Sequence, residues 1–417
     1  MKAWIPTLFS LLVTGLLAVA GILLLIRLVR RGRGQGILLA EERPAVPPVS
    51  ELGAVFCLAV LSRLLLLAWS YFLRTRLGEG SGDFLTDIAH LWVHWDARHY
   101  LGIATEGYVA EGEGRLRLVF FPLYPLLTRA VGSIFGSAFL GGTLLSILSG
   151  GAATVLLYIL AGDVLHGEAV TAVLFFLLNP FSLFLCCVYT EGLFLFLTLS
   201  AYLLRRFGHP WLYAVVGGLA SFTRMPGVLL AGIGLIALME DGFAGRLTPR
   251  RFLAGIAQMG IIFSGLFLYW YVNFRVAGDP FMYLTYQREN WYQEAGNVWY
   301  SARNTMHYFL NTAGKETHWW TWGAQALTMV FAGICLIAAG DLPFDLMAYS
   351  FVYILVIFSP TWLLSAPRYL FGMFTLPLLQ VRLSQRFPKW GRNAALLCSG
   401  ILLLLYVCGY TLTVTVY

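Results

Sequence analysis

Apolar runs dominate this chain, and several reach the roughly 20 residues that an α-helix needs to cross a bilayer. In segments such as 8–26 and 397–416 the side chains are apolar nearly all round, whereas a soluble core would alternate apolar and polar faces. Composition agrees: of 417 residues, 59% are hydrophobic and 12% charged. Lipid offers no partner to an unpaired backbone amide, so closed helices are the expected solution. The sequence predicts an all-α polytopic membrane protein.

Basic residues fix its orientation. The net charge of +7 does not point to nucleic acid, because the arginines gather in short clusters between apolar runs, where they set topology. Helices are predicted near 4–26, 52–73, 138–161, 169–186, 189–204, 210–223, 227–240, 252–274, 322–340, 344–364, 369–381 and 394–415. Four groups then fall on the cytoplasmic side: Arg27 to Arg43, Arg205-Arg206, the turn 241–251, and Arg382 to Arg392. Two long loops, about 74–119 and 275–321, fall outside. Pro122 and Pro125 in Phe120-Phe121-Pro122-Leu123-Tyr124-Pro125 predict a broken or re-entrant segment after the first loop. The first apolar run ends in Arg27-Leu28-Val29-Arg30-Arg31 without a small-residue cleavage site, and reads as a retained anchor helix. Six cysteines (Cys57, Cys186, Cys187, Cys335, Cys398, Cys408) sit in apolar runs without metal-ligand spacing, as buried inert thiols would.

A few ionisable groups have no reason to stand beside lipid, where a charge costs several kcal/mol unless paired or used. The densest cluster is His94-Trp95-Asp96-Ala97-Arg98-His99-Tyr100 in the first outer loop. On a helix, Asp96 and His99 share a face, with Tyr100 beside them. Asp96 suits either a general base or a helix N-cap. Arg98 faces solvent or a phosphate, and His94 and His99 read as supports. Tyr189-Thr190-Glu191 opens a helix at the same outer level, and Glu191 serves either the helix dipole or the site as a second carboxylate. Arg224 and Arg368 stand at proline-interrupted helix ends, in Thr223-Arg224-Met225-Pro226 and Ala366-Pro367-Arg368-Tyr369. Each offers a planar fork to a phosphate, or snorkels to headgroups; two of them facing the long loops favour anion binding. The second loop, from Gln287 to Tyr292 and on to His318-Trp319-Trp320, reads by default as an interfacial aromatic belt, and the same rings, with Gln, Asn and His between them, would also suit a sugar face.

Taken in order, His94 to Tyr108, Phe120 to Pro125, Tyr189-Thr190-Glu191, Thr223-Arg224 and Ala366-Pro367-Arg368-Tyr369 resemble the GPI mannosyltransferase II family and its bacterial homologues, within the GT-C class of membrane glycosyltransferases. The resemblance covers about 50–385. It implies a GT-C-type bundle of about 11–13 transmembrane helices, with 1–50 as an added anchor helix and cytoplasmic linker and 51–417 as the catalytic domain. It further implies inverting transfer of a sugar, mannose above all, from a polyprenyl-phosphate donor to a lipid or glycan acceptor, with Asp96 as base and Arg224, Arg368 and Arg98 at the donor phosphate. His99, Tyr100, Glu191, Tyr189 and His94 become supporting or acceptor-binding residues. The expected setting is the outer face of a bacterial plasma membrane, and neither a Rossmann glycine turn nor a P-loop is present. Metal independence is expected, and no partner subunit is named by the sequence. The rival reading is a transporter or flippase of a lipid-linked sugar, with the same charges lining a path.

Overall fold

The computed structural model describes residues 4–39, 43–78 and 83–413. The expected inner linker and first outer loop are therefore seen without 40–42 and 79–82, and the end of the last expected helix, 414–415, lies outside the described residues. Every regular element among the described residues is helical. The long first helices are α1 (Ile5–Gly32) and α2 (Val49–Arg76); α3 (Phe84–Trp92), α4 (Asp96–Thr105) and a 3-10 segment (Glu113–Val119) form the first loop. Then come α5 (Leu123–Phe135), α6 (Ala138–Leu165), α7 (Ala169–Leu177), a 3-10 segment (Pro180–Leu185), α8 (Glu191–Arg206) and α9 (Pro210–Thr223). A 3-10 segment (Met225–Leu229) leads into α10 (Leu230–Phe243), followed by α11 (Pro249–Ala277). The second loop holds α12 (Met282–Trp291) and α13 (Val298–Asn311). A π-helical turn (His318–Gly323) precedes α14 (Ala324–Ala338), and α15 (Phe344–Ile357), α16 (Ala366–Phe371), α17 (Leu376–Ser384) and α18 (Lys389–Thr411) complete the chain.

This is an integral membrane protein. Seven helices among the described residues are long and apolar enough to span a bilayer, and an eighth if the bent pair Glu113–Val119 and Leu123–Phe135 is one span. That pair turns through 112°, the break expected from Pro122 and Pro125. Several other predicted helices are shorter or split where proline removes an amide donor. The expected 169–186 helix stops at Leu177, and the Asn179 side chain accepts from the Phe181 amide at 2.9 Å to start a new turn at Pro180. The expected 344–364 helix stops at Ile357, before Pro360, and 369–381 divides into α16 and α17 around Gly372 to Thr375.

Glycine lets the helices approach closely, as lipid-embedded packing requires. A Cβ on Gly265 of α11 would stand 2.1 Å from the Gly218 carbonyl oxygen of α9, and one on Gly192 of α8 would stand 2.5 Å from the Ser146 carbonyl oxygen of α6. The second approach seats the start of α8 against α6, one residue beyond Glu191.

Both α8 and α10 begin beside the large cavity described below and end in the basic turns. At that far end the arginines also tie helices together. Arg31 holds Glu240 at 2.7 Å, Arg206 holds Asp163 at 2.9 Å, and Arg392 holds Glu168 at 2.8 Å. These basic clusters thus act as cross-links. Helix α1 buries Val13, Leu17, Ala20 and Leu24 and packs against α13, α14 and α15. Gly265→Leu is expected to lower stability by on the order of 3 kcal/mol through overpacking at the α9–α11 crossing. An unchanged melting temperature in detergent would contradict that crossing.

Candidate active site

Four charges from distant parts of the chain meet at one end of the bundle, each delivered by a helix start or a break. Asp96 is the first residue of α4, and Glu191 is the first residue of α8. Arg224 lies in extended backbone (φ −156°, ψ 145°) where α9 stops before Met225-Pro226. Arg368 lies in the six-residue helix α16, straight after Pro367.

They form a chain of ion pairs. Arg368 Nη1 donates to Asp96 Oδ2 at 2.8 Å, and its Nε lies 3.3 Å from Glu191 Oε1. Arg224 Nη1 donates to the same Glu191 oxygen at 2.5 Å and to Thr190 Oγ1 at 3.3 Å. Two guanidiniums and two carboxylates leave no net charge in this chain. The rings around it are aromatic: Arg368 stands over Tyr189 at 5.1 Å, Tyr369 at 5.2 Å and Phe184 at 5.4 Å. Such faces favour a cation, and more so where water is excluded.

The two carboxylates differ in access. Glu191 is fully buried, whereas the Asp96 side chain keeps 20% of its exposure. Asp96 lines a cavity of about 860 Å³, together with Arg224, Arg368, Arg98, His94, His99 and Tyr100. Glu191 and Tyr189 stand behind that wall. Asp96 does not act as the N-cap of α4, since the cap position is Trp95 and carries no side-chain capping bond. Trp95 has φ of 47°, a left-handed conformation that a bulky residue adopts only under strain. Its ring meets Tyr410 edge-on at 5.0 Å, and this contact holds the turn that aims Asp96.

The remaining expected residues take separate places. Tyr189 donates its hydroxyl to the His94 carbonyl at 3.2 Å. Tyr100 is buried among Phe120, Tyr124 and Tyr189. His99 stacks on Phe120 with ring centroids 4.7 Å apart. Burial holds the His94 and His99 imidazoles below the usual histidine value; nearby Arg98 adds to this for His94, while Asp96 partly opposes it for His99. Both rings are therefore neutral near pH 7. His94 Nε2 is buried and has no partner among the described residues. Arg98 is exposed and, among the described residues, has no ion pair, so it does not join the charge chain.

One buried charge behind the site escaped the sequence reading. Arg63, in the middle of apolar α2, is buried. It donates at 2.8 Å to the Ser182 carbonyl, the Ser182 hydroxyl and the Leu177 carbonyl. These groups are left open where α7 gives way to the 3-10 segment that leads to Phe184, Tyr189 and Glu191. The signal was a charge inside an uninterrupted apolar run. It was obscured because its partners are chiefly backbone carbonyls, which carry no side-chain signature.

Residues 84–324, more than half of the chain, match the sequence model of a family described as Mannosyltransferase (PIG-V). The chain belongs to the PIG-V mannosyltransferase family. The matched region contains Asp96, Glu191 and Arg224. Over 181 residues this family member is 33% identical to GPI alpha-1,6-mannosyltransferase 2 of Rattus norvegicus, covering 40% of the chain and 35% of that relative. Over 189 residues it is 30% identical to the Homo sapiens protein of the same name, covering 42% and 36%. The matched stretches thus span about a third of the length of these relatives. Its fold is similar to that of ArnT from Cupriavidus metallidurans, solved with undecaprenyl phosphate bound, with a TM-score of 0.50 at 15% identity, over 86% of this chain and 76% of that one. The expected GT-C-type architecture is the one observed.

Arg63→Met is expected to destabilise the protein by on the order of 3 kcal/mol, because it strands buried carbonyls, and Arg63→Lys should recover part of the loss. Equal melting temperatures for the wild type and Arg63→Met would remove Arg63 as the clamp of this segment.

Proposed function

We propose that this PIG-V family member transfers a glycosyl group, mannose in the first instance, from a polyprenyl-phosphate donor to a hydroxyl of a lipid or glycan acceptor, with inversion at the anomeric carbon. The observation that carries this reading is the gathering of one accessible carboxylate, Asp96, with the buried Arg368 and the half-buried Arg224 on the wall of one cavity. The acceptor oxygen bonds to the anomeric carbon while the bond from that carbon to the phosphate oxygen breaks. The hydroxyl proton passes to Asp96, and the electron pair leaves with the polyprenyl phosphate. The donor phosphodiester carries one negative charge and the departing monophosphate moves toward two, so cations fixed at the phosphate favour the transition state over the ground state.

The resting ion pairs give this scheme an order. Arg224 engages its partners through Nη1 alone, and Arg368 Nη2 has no partner among the described residues. Each fork therefore keeps donors for an anion, and Arg98 adds an unpaired cation on the same wall. A phosphate that draws Arg368 toward itself weakens the pair with Asp96 and leaves that carboxylate free to meet the acceptor hydroxyl. Glu191, fully buried behind both arginines, positions them in this scheme. His94, His99 and Tyr100 line the cavity around the reacting hydroxyl, and Tyr189 braces its wall from behind.

The clustering of Arg31, Arg206, Arg246 and Arg392 at the far end of the bundle supports an extracytoplasmic cavity; a bacterial plasma membrane is the setting we propose. A monophosphate leaving group held by guanidiniums needs no divalent metal, so turnover should persist in chelator; loss restored by manganese would count against it.

The decisive experiment incubates purified protein in lipid with polyprenyl-phosphate mannose and a host lipid extract, and follows the product by mass. One added hexose and released polyprenyl phosphate are expected. Asp96→Asn should lower turnover by about 10²–10⁴-fold with donor binding kept, while Arg224→Ala and Arg368→Ala should each weaken polyprenyl-phosphate binding by roughly tenfold or more. Near-normal turnover of Asp96→Asn would remove it as base.

A further inference from the structure

Beside the charge chain, the same cavity has a corner of different chemistry. There Trp291, Gln287 and Gln293 of the second loop face His99 and Phe120 of the first. The Trp291 ring stands edge-on to both, with centroids 6.0 Å from His99 and 6.1 Å from Phe120. The structure assigns this corner as a subsite for an uncharged hexose ring of the acceptor, a proposal that rests on the glycosyl-transfer reading above.

The two glutamines are brought together by a specific backbone device. Tyr292, at the C-terminus of α12, has φ of 53°, which turns the chain so that the Gln293 amide donates to the Gln287 carbonyl at 3.2 Å. A non-glycine residue in this region is uncommon, and its effect is to set both side chains on one rim. Neither side-chain amide has a partner among the described residues. Each therefore offers a donor and an acceptor to a ligand hydroxyl.

The rim is also rigid. Tyr286 is buried, and Arg115 of the first loop stands over its ring at 5.7 Å. The Glu294 amide donates to Thr361 Oγ1 at 3.1 Å, and the Thr361 amide donates to the Glu294 carbonyl at 3.0 Å. Gly296 fits against the Ser359 carbonyl where a Cβ would come within 2.8 Å. This anchors the rim to the segment that leads on to Arg368.

The chemistry selects the ligand. A sugar ring presents C–H groups on its faces and hydroxyls around its edge, which matches aromatic rings flanked by free amides. A second phosphate would find little purchase: Arg117 is already held by Glu106 at 2.6 Å, and Arg98 serves the donor phosphate in the reading above. Trp291 thus leaves the expected aromatic belt, whereas Trp319, 63% exposed, faces outward.

Sugar could reach this corner from the acceptor or from the donor, and binding separates the sources without requiring turnover. Methyl α-mannopyranoside is added to the protein in lipid nanodiscs and followed by saturation-transfer NMR. Saturation of its ring protons is expected, with about tenfold weaker binding in Trp291→Ala and a clear loss in Gln287→Ala. Both variants should bind polyprenyl phosphate like the wild type. Adding polyprenyl-phosphate mannose should leave the methyl mannoside signal in place. Displacement by that donor would overturn the acceptor assignment, and unchanged binding in both variants would overturn the subsite. Failure of the wild type to bind polyprenyl phosphate would instead strike the proposed function and leave the sugar contact standing.

Discussion

The site depends on the pair between Arg368 and Asp96, 2.8 Å apart. An arginine buried near lipid is costly unless its charge is compensated, and here the compensation comes from Asp96, Glu191 and three aromatic faces. That requirement explains much of the local backbone. The proline breaks before Arg368 and beyond Arg224, the strained turn at Trp95 and the glycine at the foot of α8 each deliver one member to the same place. Removing one partner leaves the others buried without compensation, so the four act as a unit.

Pairing also decides which carboxylate can do chemistry. Glu191 and Asp96 each open a helix and each meet an arginine, and in the sequence both admit a dipole or capping role. Burial separates them: Glu191 is sealed behind the cavity wall while Asp96 reaches into it. Arg98, grouped with the other arginines by its motif, proves to be an unpaired cation of the wall. The charges collect at one end of the bundle, which fits a site better than a path through the membrane.

Much of this was legible in the sequence. Apolar runs of spanning length gave the long helices α1, α2, α6, α11 and α18, and the two prolines near residue 122 gave the 112° bend. The motif residues named the charges that meet. The helix breaks after Leu177 and Ile357 were less visible, because hydropathy stays high across them and only Pro180 and Pro360 mark the change. Arg63 was missed for the same reason. Its partners are carbonyls, which carry no side-chain signature, and they become unpaired only once the break exists. The split of the second loop's aromatics, Trp291 inward and Trp319 outward, depends on the left-handed turn at Tyr292, which no local pattern announces.

The central claim is that a phosphate takes Arg368 from Asp96 and so readies the base. It is tested most directly by an experimental structure of the protein in lipid with polyprenyl phosphate bound. The phosphate should lie on Arg368 and Arg224, with the Arg368–Asp96 separation opened beyond the ion-pair limit of about 4 Å. A phosphate bound elsewhere, with the 2.8 Å pair intact, would contradict it.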